Sequence, residues 1–328
     1  MTERSLIAAA GAGRMGRGLA HVFAYAGHTV DLVDLKKRTA AEHAEVASAV
    51  DTDLRRGLGA MVDHGVMAAE GLDRIVNRVR LVAAEDADEA LGRADIVFEA
   101  VPEVIEAKRA ALAQVGNAAK PDAIVASATS TILVEDLAPL ITHPERFLNA
   151  HWLNPAYIIP LVELSPGART APTTVEALET LLKSVGKVPV LCAASPGFIV
   201  PRLQALVMNE AARLVEDGVA TPEQIDLATR YGLGFRFATL GVVEFIDWGG
   251  GDILHYASDY LRNALGAERY AAPEVIRRNM ESGAIGLKTG RGFHDYKGRD
   301  IDAYQRETIG RFLDLLDHYG LLKPPAGG

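Results

Sequence analysis

The sequence predicts a doubly wound α/β domain followed by an all-helical domain, and three observations carry that prediction. Short apolar runs alternate with helical patterns through the first half, the signature of a parallel sheet covered on both faces. A glycine-rich turn, GAGRMG, follows the first of those runs. Strand signals stop near residue 198 and helical periodicity takes over.

The elements follow in order. SLIAAAG (5–11) and HTVDLVD (28–34) read as strands flanking a helix near 14–26. Residues 36–77 are helical and carry no strand, an excursion from the sheet. VRLV (79–82), ADIVFEAV (94–101) and DAIVAS (122–127) are further strands, with a helix over 103–118. HWLNPAYIIPLVELSPG (151–167) is strand-like but interrupted by Pro155 and Pro160, and KVPVLCAASPGF (187–198) ends the strand-bearing half. Beyond it Ile199, Leu203, Leu206, Val207 and Leu214 recur with helical period. A chain of 328 residues suggests about two domains. The boundaries predicted are a dinucleotide-binding domain over 1–195, a helical substrate and dimerisation domain over 196–298, and a tail over 299–328 with one amphipathic helix and a frayed KPPAGG end.

Hydrophobic residues make up 49% and charged residues 23%, ordinary for a globular enzyme. The net charge of −9 gives no electrostatic reason to expect nucleic acid or an anionic membrane as partner. One cysteine, Cys192, excludes an internal disulfide, and its apolar setting reads as packing. The start, MTERSLIAAAGAG, lacks a basic-then-apolar signal pattern, and no stretch of about 18 uncharged apolar residues is present. A cytoplasmic protein is the expectation.

In GAGRMG, Gly11 permits the tight turn, Gly13 lets a pyrophosphate approach the backbone, and Gly16 lets the helix pack close to the strand. The helix then aims its first N–H groups at phosphate. Asp34, closing the second strand 18 residues past Gly16, can accept ribose hydroxyls, which favours NAD. Lys36, Lys37 and Arg38 lie just beyond and would favour the 2′-phosphorylated relative.

A dinucleotide domain followed by a helical domain suggests a dehydrogenase, which needs a base for the substrate hydroxyl, and histidine suits that work near neutrality. His21, His43, His64 and His255 sit in helical or loop contexts where packing or a surface role is the simpler reading. His151 ends an apolar strand after the sheet, and Glu163 stands alone among apolar residues. Each has a bland explanation singly, a satisfied core histidine for His151 and a buried cap or salt bridge for Glu163. Together they explain each other, since a carboxylate can fix an imidazole's tautomer and stabilise its charged form.

GAGRMGRG, SATS, HWLNP, PLVEL, SPGFIVPR and KTGRGF occur in the order and spacing of the 3-hydroxyacyl-CoA dehydrogenase superfamily, which the chain resembles over about residues 5–298. The resemblance implies His151 as catalytic base and Glu163 as its orienting partner. It places Ser130 and Asn154 beside substrate and nicotinamide. Gly11, Gly13, Arg14, Met15, Gly16, Asp34, Glu103, Lys108 and Lys288 would touch NAD, and no metal is implied. It also implies a homodimer and a place in fatty acid metabolism.

Three departures bear on the substrate. Pro201 stands where CoA enzymes of the superfamily usually have Asn, and proline offers no side-chain hydrogen bond. The helical excursion offers Arg55 and Arg56 rather than lysines. GLGFRFATLG (232–241) replaces a Pro-Met-Gly-Pro-like turn and resembles the lambda-crystallin branch, whose members oxidise L-gulonate, and the carnitine dehydrogenases. The HWLNPAYIIP run is similar to that of a pyridine-carboxylate dehydrogenase. Arg236, within that turn, has the planar fork that grips a carboxylate, though a structural salt bridge is an equal alternative, and Arg202 is a further substrate candidate. A short L-3-hydroxyacyl-CoA comes first among substrates because most of the motif framework belongs to that enzyme. A free hydroxycarboxylate with Arg236 as clamp is the alternative, and a non-catalytic crystallin-like protein is the third.

Overall fold

The structure, a computed structural model, describes residues 5–325. The first four residues of MTERSLIAAAGAG and the last three of the expected frayed end, 326–328, lie outside the described residues. The chain divides into two compact units, 1–207 and 208–328.

The first unit carries β1 (Leu6–Ala10), α1 (Arg14–Tyr25), β2 (Thr29–Val33), α2 (Ala40–Asp63), α3 (Leu72–Val76) and β3 (Val79–Val82). It continues through α4 (Ala87–Arg93), β4 (Ile96–Glu99), α5 (Ile105–Ala118), β5 (Ile124–Ser127) and α6 (Val134–Leu137). It closes with β6 (Phe147–Trp152), β7 (Leu161–Pro166), α7 (Pro172–Ser184), β8 (Val188–Leu191) and the first half of α8 (Val200–Glu216). The strands form one sheet in the order β3-β2-β1-β4-β5-β6-β7-β8. All pairs are parallel except β6 with β7.

Both faces of the central strands are buried, whereas the edge strands β3 and β8 are partly exposed, and the pleat divides each strand between the two faces. In β1, Ile7 and Ala9 belong to the core that also holds Leu19 and Phe23 of α1, Leu54 and Leu58 of α2 and, farther along the sheet, Leu178 of α7. Ala8 and Ala10 face Leu91 of α4, Leu112 and Val115 of α5 and Leu137 of α6. The excursion between β2 and β3 is α2 and α3, with no strand, as the sequence indicates. A parallel sheet was the expectation, and the antiparallel β6–β7 step departs from it. The eight residues between those two strands make a turn held by Lys187, so the chain reverses rather than crossing over.

The second unit holds the rest of α8, then α9 (Pro222–Ala228), α10 (Phe235–Phe237), α11 (Val242–Gly249), α12 (Gly251–Leu265), α13 (Glu274–Glu281) and α14 (Ile301–His318). Its core gathers Leu240, Tyr296 and Tyr304 with Phe245, Trp248 and Phe312. Buried Asp247 accepts from the backbone N–H groups of Phe293 and His294 (2.9 and 2.8 Å) and from the Tyr296 hydroxyl (3.2 Å). A Cβ at Gly292 would lie 2.0 Å from the Asp247 carboxylate, so the second glycine of KTGRGF is there to let this loop close on its acid. A π-turn at 229–234 precedes α10 in the GLGFRFATLG stretch. Among the described residues, no helix is long and apolar enough to cross a membrane.

Candidate active site

The nucleotide end begins where β1 stops. Gly11 takes φ +124°, and a Cβ there would meet the Ala100 carbonyl oxygen at 2.8 Å. A Cβ at Gly16 would lie 1.8 Å from the Gly11 carbonyl oxygen, so only glycine lets α1 pack this close to the turn. Gly13 has nothing within 4 Å of where its Cβ would be, which leaves open the approach that a pyrophosphate needs. The start of α1 has no side-chain cap and no acid in its first turn. Its first N–H groups and partial positive charge are therefore available to an anion. A cavity of about 490 Å³ is lined here by Gly11, Gly13, Arg14, Met15, Asp34, Glu103, Ser130 and Asn154. These residues fit a dinucleotide.

Glu103 organises the cavity's far wall. One carboxylate oxygen accepts from the Thr129 hydroxyl (2.6 Å), the N–H groups of Ser130 (3.1 Å) and Thr131 (2.9 Å), and the Thr131 hydroxyl (2.8 Å). Burial opposes its charge, but those hydroxyls and the Lys108 ammonium outweigh it and hold the carboxyl below its usual range. Lys108, named from the sequence as a cofactor contact, is 1% exposed. Its ammonium sits 3.0 Å from Glu99 and 3.5 Å from Glu103 and does not line the cavity, so it supports the wall from beneath.

His151 and Glu163 stand directly opposite each other in the antiparallel β6–β7 pair. Residues so paired project from the same face, which is what the intervening prolines hid in the sequence. His151 Nδ1 lies 2.7 Å from Glu163 Oε2. Both side chains are buried, Glu163 completely. The other carboxylate oxygen, Oε1, accepts the N–H groups of Ile199 (2.9 Å) and Val200 (2.8 Å) at the start of α8. Glu163 thus also closes a helix N-terminus, where negative charge is favoured.

Phe198 was missed in the sequence. Its ring stacks on His151 with centroids 5.3 Å apart and planes 13° apart, at 5% exposure. Its φ of 45° is the one left-handed backbone among the described residues that is not glycine. That conformation costs on the order of 1 kcal/mol. Pro-Gly-Phe in SPGF was the available signal, a turn motif ending in an aromatic residue. Next to His151, Trp152 projects to the opposite face and packs edge-on against Phe23 and Phe98 (6.0 and 5.8 Å). Lys187 donates to the carbonyls of Ala156 (2.6 Å) and Ile159 (2.9 Å), pinning the turn that carries Asn154. Asn154 itself is exposed and lines the cavity three residues beyond His151.

The remaining candidates are placed as follows. Arg202 donates to the Ser195 hydroxyl at 3.2 Å, and Pro201 is the second residue of α8. Arg55 is engaged by Asp51 and Asp73, and Arg56 by Asp53. In the second unit, Lys288 pairs with Asp252 at 2.6 Å. Arg236 lies over the Phe245 ring at 5.3 Å and has no carboxylate partner among the described residues. Cys192 is half-buried, and burial, then the nearby Glu163 charge, pushes its thiol up.

A glycine turn opening on an uncapped helix, with a buried acid at the end of β2, places the first unit among Rossmann-type dinucleotide-binding proteins. Residues 6–195 match the family model of the 3-hydroxyacyl-CoA dehydrogenase NAD binding domain, and residues 197–296 that of its C-terminal domain. The chain belongs to the 3-hydroxyacyl-CoA dehydrogenase family, oxidoreductases that use NAD. It is 36% identical to the 3-hydroxyadipyl-CoA dehydrogenase of Escherichia coli over 98% of its own length, and spans 64% of that relative. It is 34% identical to the 5-formyl-3-hydroxy-2-methylpyridine 4-carboxylate 5-dehydrogenase of Mesorhizobium japonicum, covering 94% of this chain and 96% of that protein. Among solved structures, a 3-hydroxyacyl-CoA dehydrogenase from Archaeoglobus fulgidus superposes with a TM-score of 0.74 at 29% identity, covering 97% of this chain and 100% of that one.

Proposed function

We propose that the protein oxidises the 3-hydroxyl of a short L-3-hydroxyacyl-CoA with NAD, using His151 as general base. The observation that carries this is the 2.7 Å contact between His151 Nδ1 and buried Glu163. Glu163 already accepts two backbone N–H groups through its other oxygen, so its role toward His151 is that of acceptor. Nδ1 therefore carries the proton, and Nε2 keeps the lone pair that takes the alcohol proton. Glu163 then stabilises the imidazolium that forms. NAD, when bound, supplies the hydride acceptor. Ser130 and Asn154, on the cavity wall, hold the substrate oxygen and the positions around it.

A second cavity of about 320 Å³ shares Arg14, Arg17 and Asn154 with the first and adds Arg56, His21 and Tyr157. Its three guanidinium groups face one carboxylate, Asp53, so the local field suits an anionic substrate. The second reading, a free hydroxycarboxylate with Arg236 as clamp, rests on the GLGFRFATLG stretch of the sequence. NADH absorbance with CoA thioesters and free hydroxy acids side by side decides between them. Turnover of 3-hydroxybutyryl-CoA without turnover of free acids supports the first reading. Turnover of a free acid, sharply weakened in Arg236→Leu, replaces it with the second.

We also propose a cytoplasmic homodimer. Leu203, Leu206, Val207 and Met208 on α8 are each more than 40% exposed, an apolar stripe that a second copy would cover. Light scattering on the purified protein tests it, and a monomer at micromolar concentration would reject it.

A further inference from the structure

Asp34 is already engaged by its own chain. The residue is 3% exposed, at the end of β2, where its backbone N–H is fixed on the Val82 carbonyl (2.9 Å). One oxygen accepts the Lys36 N–H at 3.3 Å, and the other accepts Nε of Arg38. Arg38 is the residue before Thr39, the N-cap of α2, and Thr39 is locked in a reciprocal capping box with Glu42. The backbone on either side of Arg38 is thus anchored, to the strand end behind and to the helix cap ahead. Arg38 and Lys36 line the same cavity as Gly11, Gly13 and Asp34.

This arrangement changes the charge that the adenosine end of a dinucleotide would meet. A lone buried carboxylate there attracts the two ribose hydroxyls and repels a 2′-phosphate. Here the guanidinium on Asp34 cancels that repulsion, and the Lys36 ammonium on the same rim leaves the local sum positive. Arginine also has the planar donor set that grips phosphate in two places.

We propose that Arg38 is a cofactor-selectivity residue that opens the site to NADP(H) as well as NAD(H). With NAD, Asp34 accepts the ribose hydroxyls. With NADP, Arg38 turns from Asp34 to the 2′-phosphate, and Lys36 adds a second cation. The new charge-assisted contacts and the loss of the Asp34 pairing are of similar size, so the wild-type dissociation constants for NADPH and NADH should lie within about tenfold of each other.

Equilibrium titration by nicotinamide fluorescence tests this without turnover. Arg38→Ala should raise the NADPH-to-NADH ratio of dissociation constants by about a hundredfold, because it removes the clamp and bares the carboxylate. Arg38→Lys should recover part of that loss, and Asp34→Asn should move the ratio the other way by weakening NADH. Lys37→Ala, at an exposed residue that does not line the cavity, should leave the ratio unchanged. NADPH binding in the wild type more than about a hundredfold weaker than NADH binding would overturn the proposal, as would an Arg38→Ala variant that weakens both ligands equally. Wild type that binds NADH but not NADPH defeats only this inference. Wild type that binds neither defeats the nucleotide site itself.

Discussion

Replacing Glu163 with Gln tests the dyad with the least disturbance of shape. The amide oxygen can still accept the Ile199 and Val200 N–H groups, which sit 2.9 and 2.8 Å from the present carboxylate. The amide nitrogen then faces His151 Nδ1, now 2.7 Å from a carboxylate oxygen, and both would be donors. The imidazole relieves the conflict by moving its proton to Nε2, the atom that must receive the alcohol proton. The loss has two parts. A buried charge-assisted hydrogen bond to the imidazolium is worth about 1.5–3 kcal/mol. That converts to about ten- to a hundredfold in rate. The wrong tautomer removes most of what a general base supplies, about a hundred- to ten-thousandfold. These effects overlap, so kcat should fall by about a hundredfold or more. The Michaelis constant and the NADH dissociation constant should change little, because neither ligand is held by Glu163. The assay is steady-state NADH absorbance on the best substrate of the thioester and hydroxy-acid screen, with NADH binding and a thermal melt on the same preparation. Stability should fall by only about 0.5–1 kcal/mol, the worth of a charge at a helix N-terminus. Glu163→Ala, by contrast, leaves two N–H groups without their acceptor and should lower both rate and stability. Glu163→Gln with a kcat within threefold of wild type would refute the reasoning.

Three further expectations follow from the same geometry. Phe198→Leu removes the ring stacked on His151 while keeping an apolar side chain, so kcat should drop by about five- to tenfold, matching a stacking worth of about 1 kcal/mol; unchanged kcat would show that the imidazole is held by Glu163 alone. Glu103→Ala removes four hydrogen bonds to residues 129–131 and should speed amide exchange there and raise the Michaelis constant more than it lowers kcat; undisturbed exchange counts against Glu103 as the organiser. His21 is 2% exposed, and burial, then the Lys187 charge, brings its pKa down to about 4. The unfolded chain takes up this proton near pH 6.5 and the folded one only near 4. The stability conferred by neutral His21 is therefore complete above about pH 6.5 and is lost as pH falls through about 4, a change of about 3 kcal/mol. His21→Phe, which can keep the stack on Tyr157 (4.3 Å), should show a shallower fall in urea midpoint between pH 7 and 4.5. Equal slopes in the two proteins would rule out His21 as the titrating group.

The nucleotide half was legible because its signals are local. Gly11 and Gly16 mark close backbone approaches and Gly13 leaves an open one, all within six residues, and the acid closing the next strand, Asp34, follows at the spacing of one helix. The alternation of apolar runs and helices is a property of neighbouring residues, so the sheet was legible up to β5. From β6 onward the deciding facts are tertiary. Periodicity could not pair His151 with Glu163 because eight irregular residues, two of them proline, separate the strands. Nor could it show that the second Glu163 oxygen takes N–H groups 36 and 37 residues away. The Arg38 contact with Asp34 was nearer the surface of the sequence, since the residues are four apart, yet the three cations beyond Asp34 were there weighed as competitors to it rather than as its partners.

Glu163 also accounts for the proline that first stood out as a lost substrate contact. The first turn of a helix has N–H groups with no acceptor inside the helix. At the start of α8, Glu163 takes those of Ile199 and Val200, and its other oxygen is already on His151. An N–H at position 201 would be the next in line, and proline has none, so the requirement ends there. Pro201 fits the cap that the dyad's carboxylate forms, whatever the substrate. The same carboxylate fixes the tautomer of His151 and the entry of α8, so a shift of that helix start is a shift of the base. Substrate contacts changed by substitution at 199–201 should therefore be measured alongside kcat, because the two cannot vary independently while both hang on Glu163.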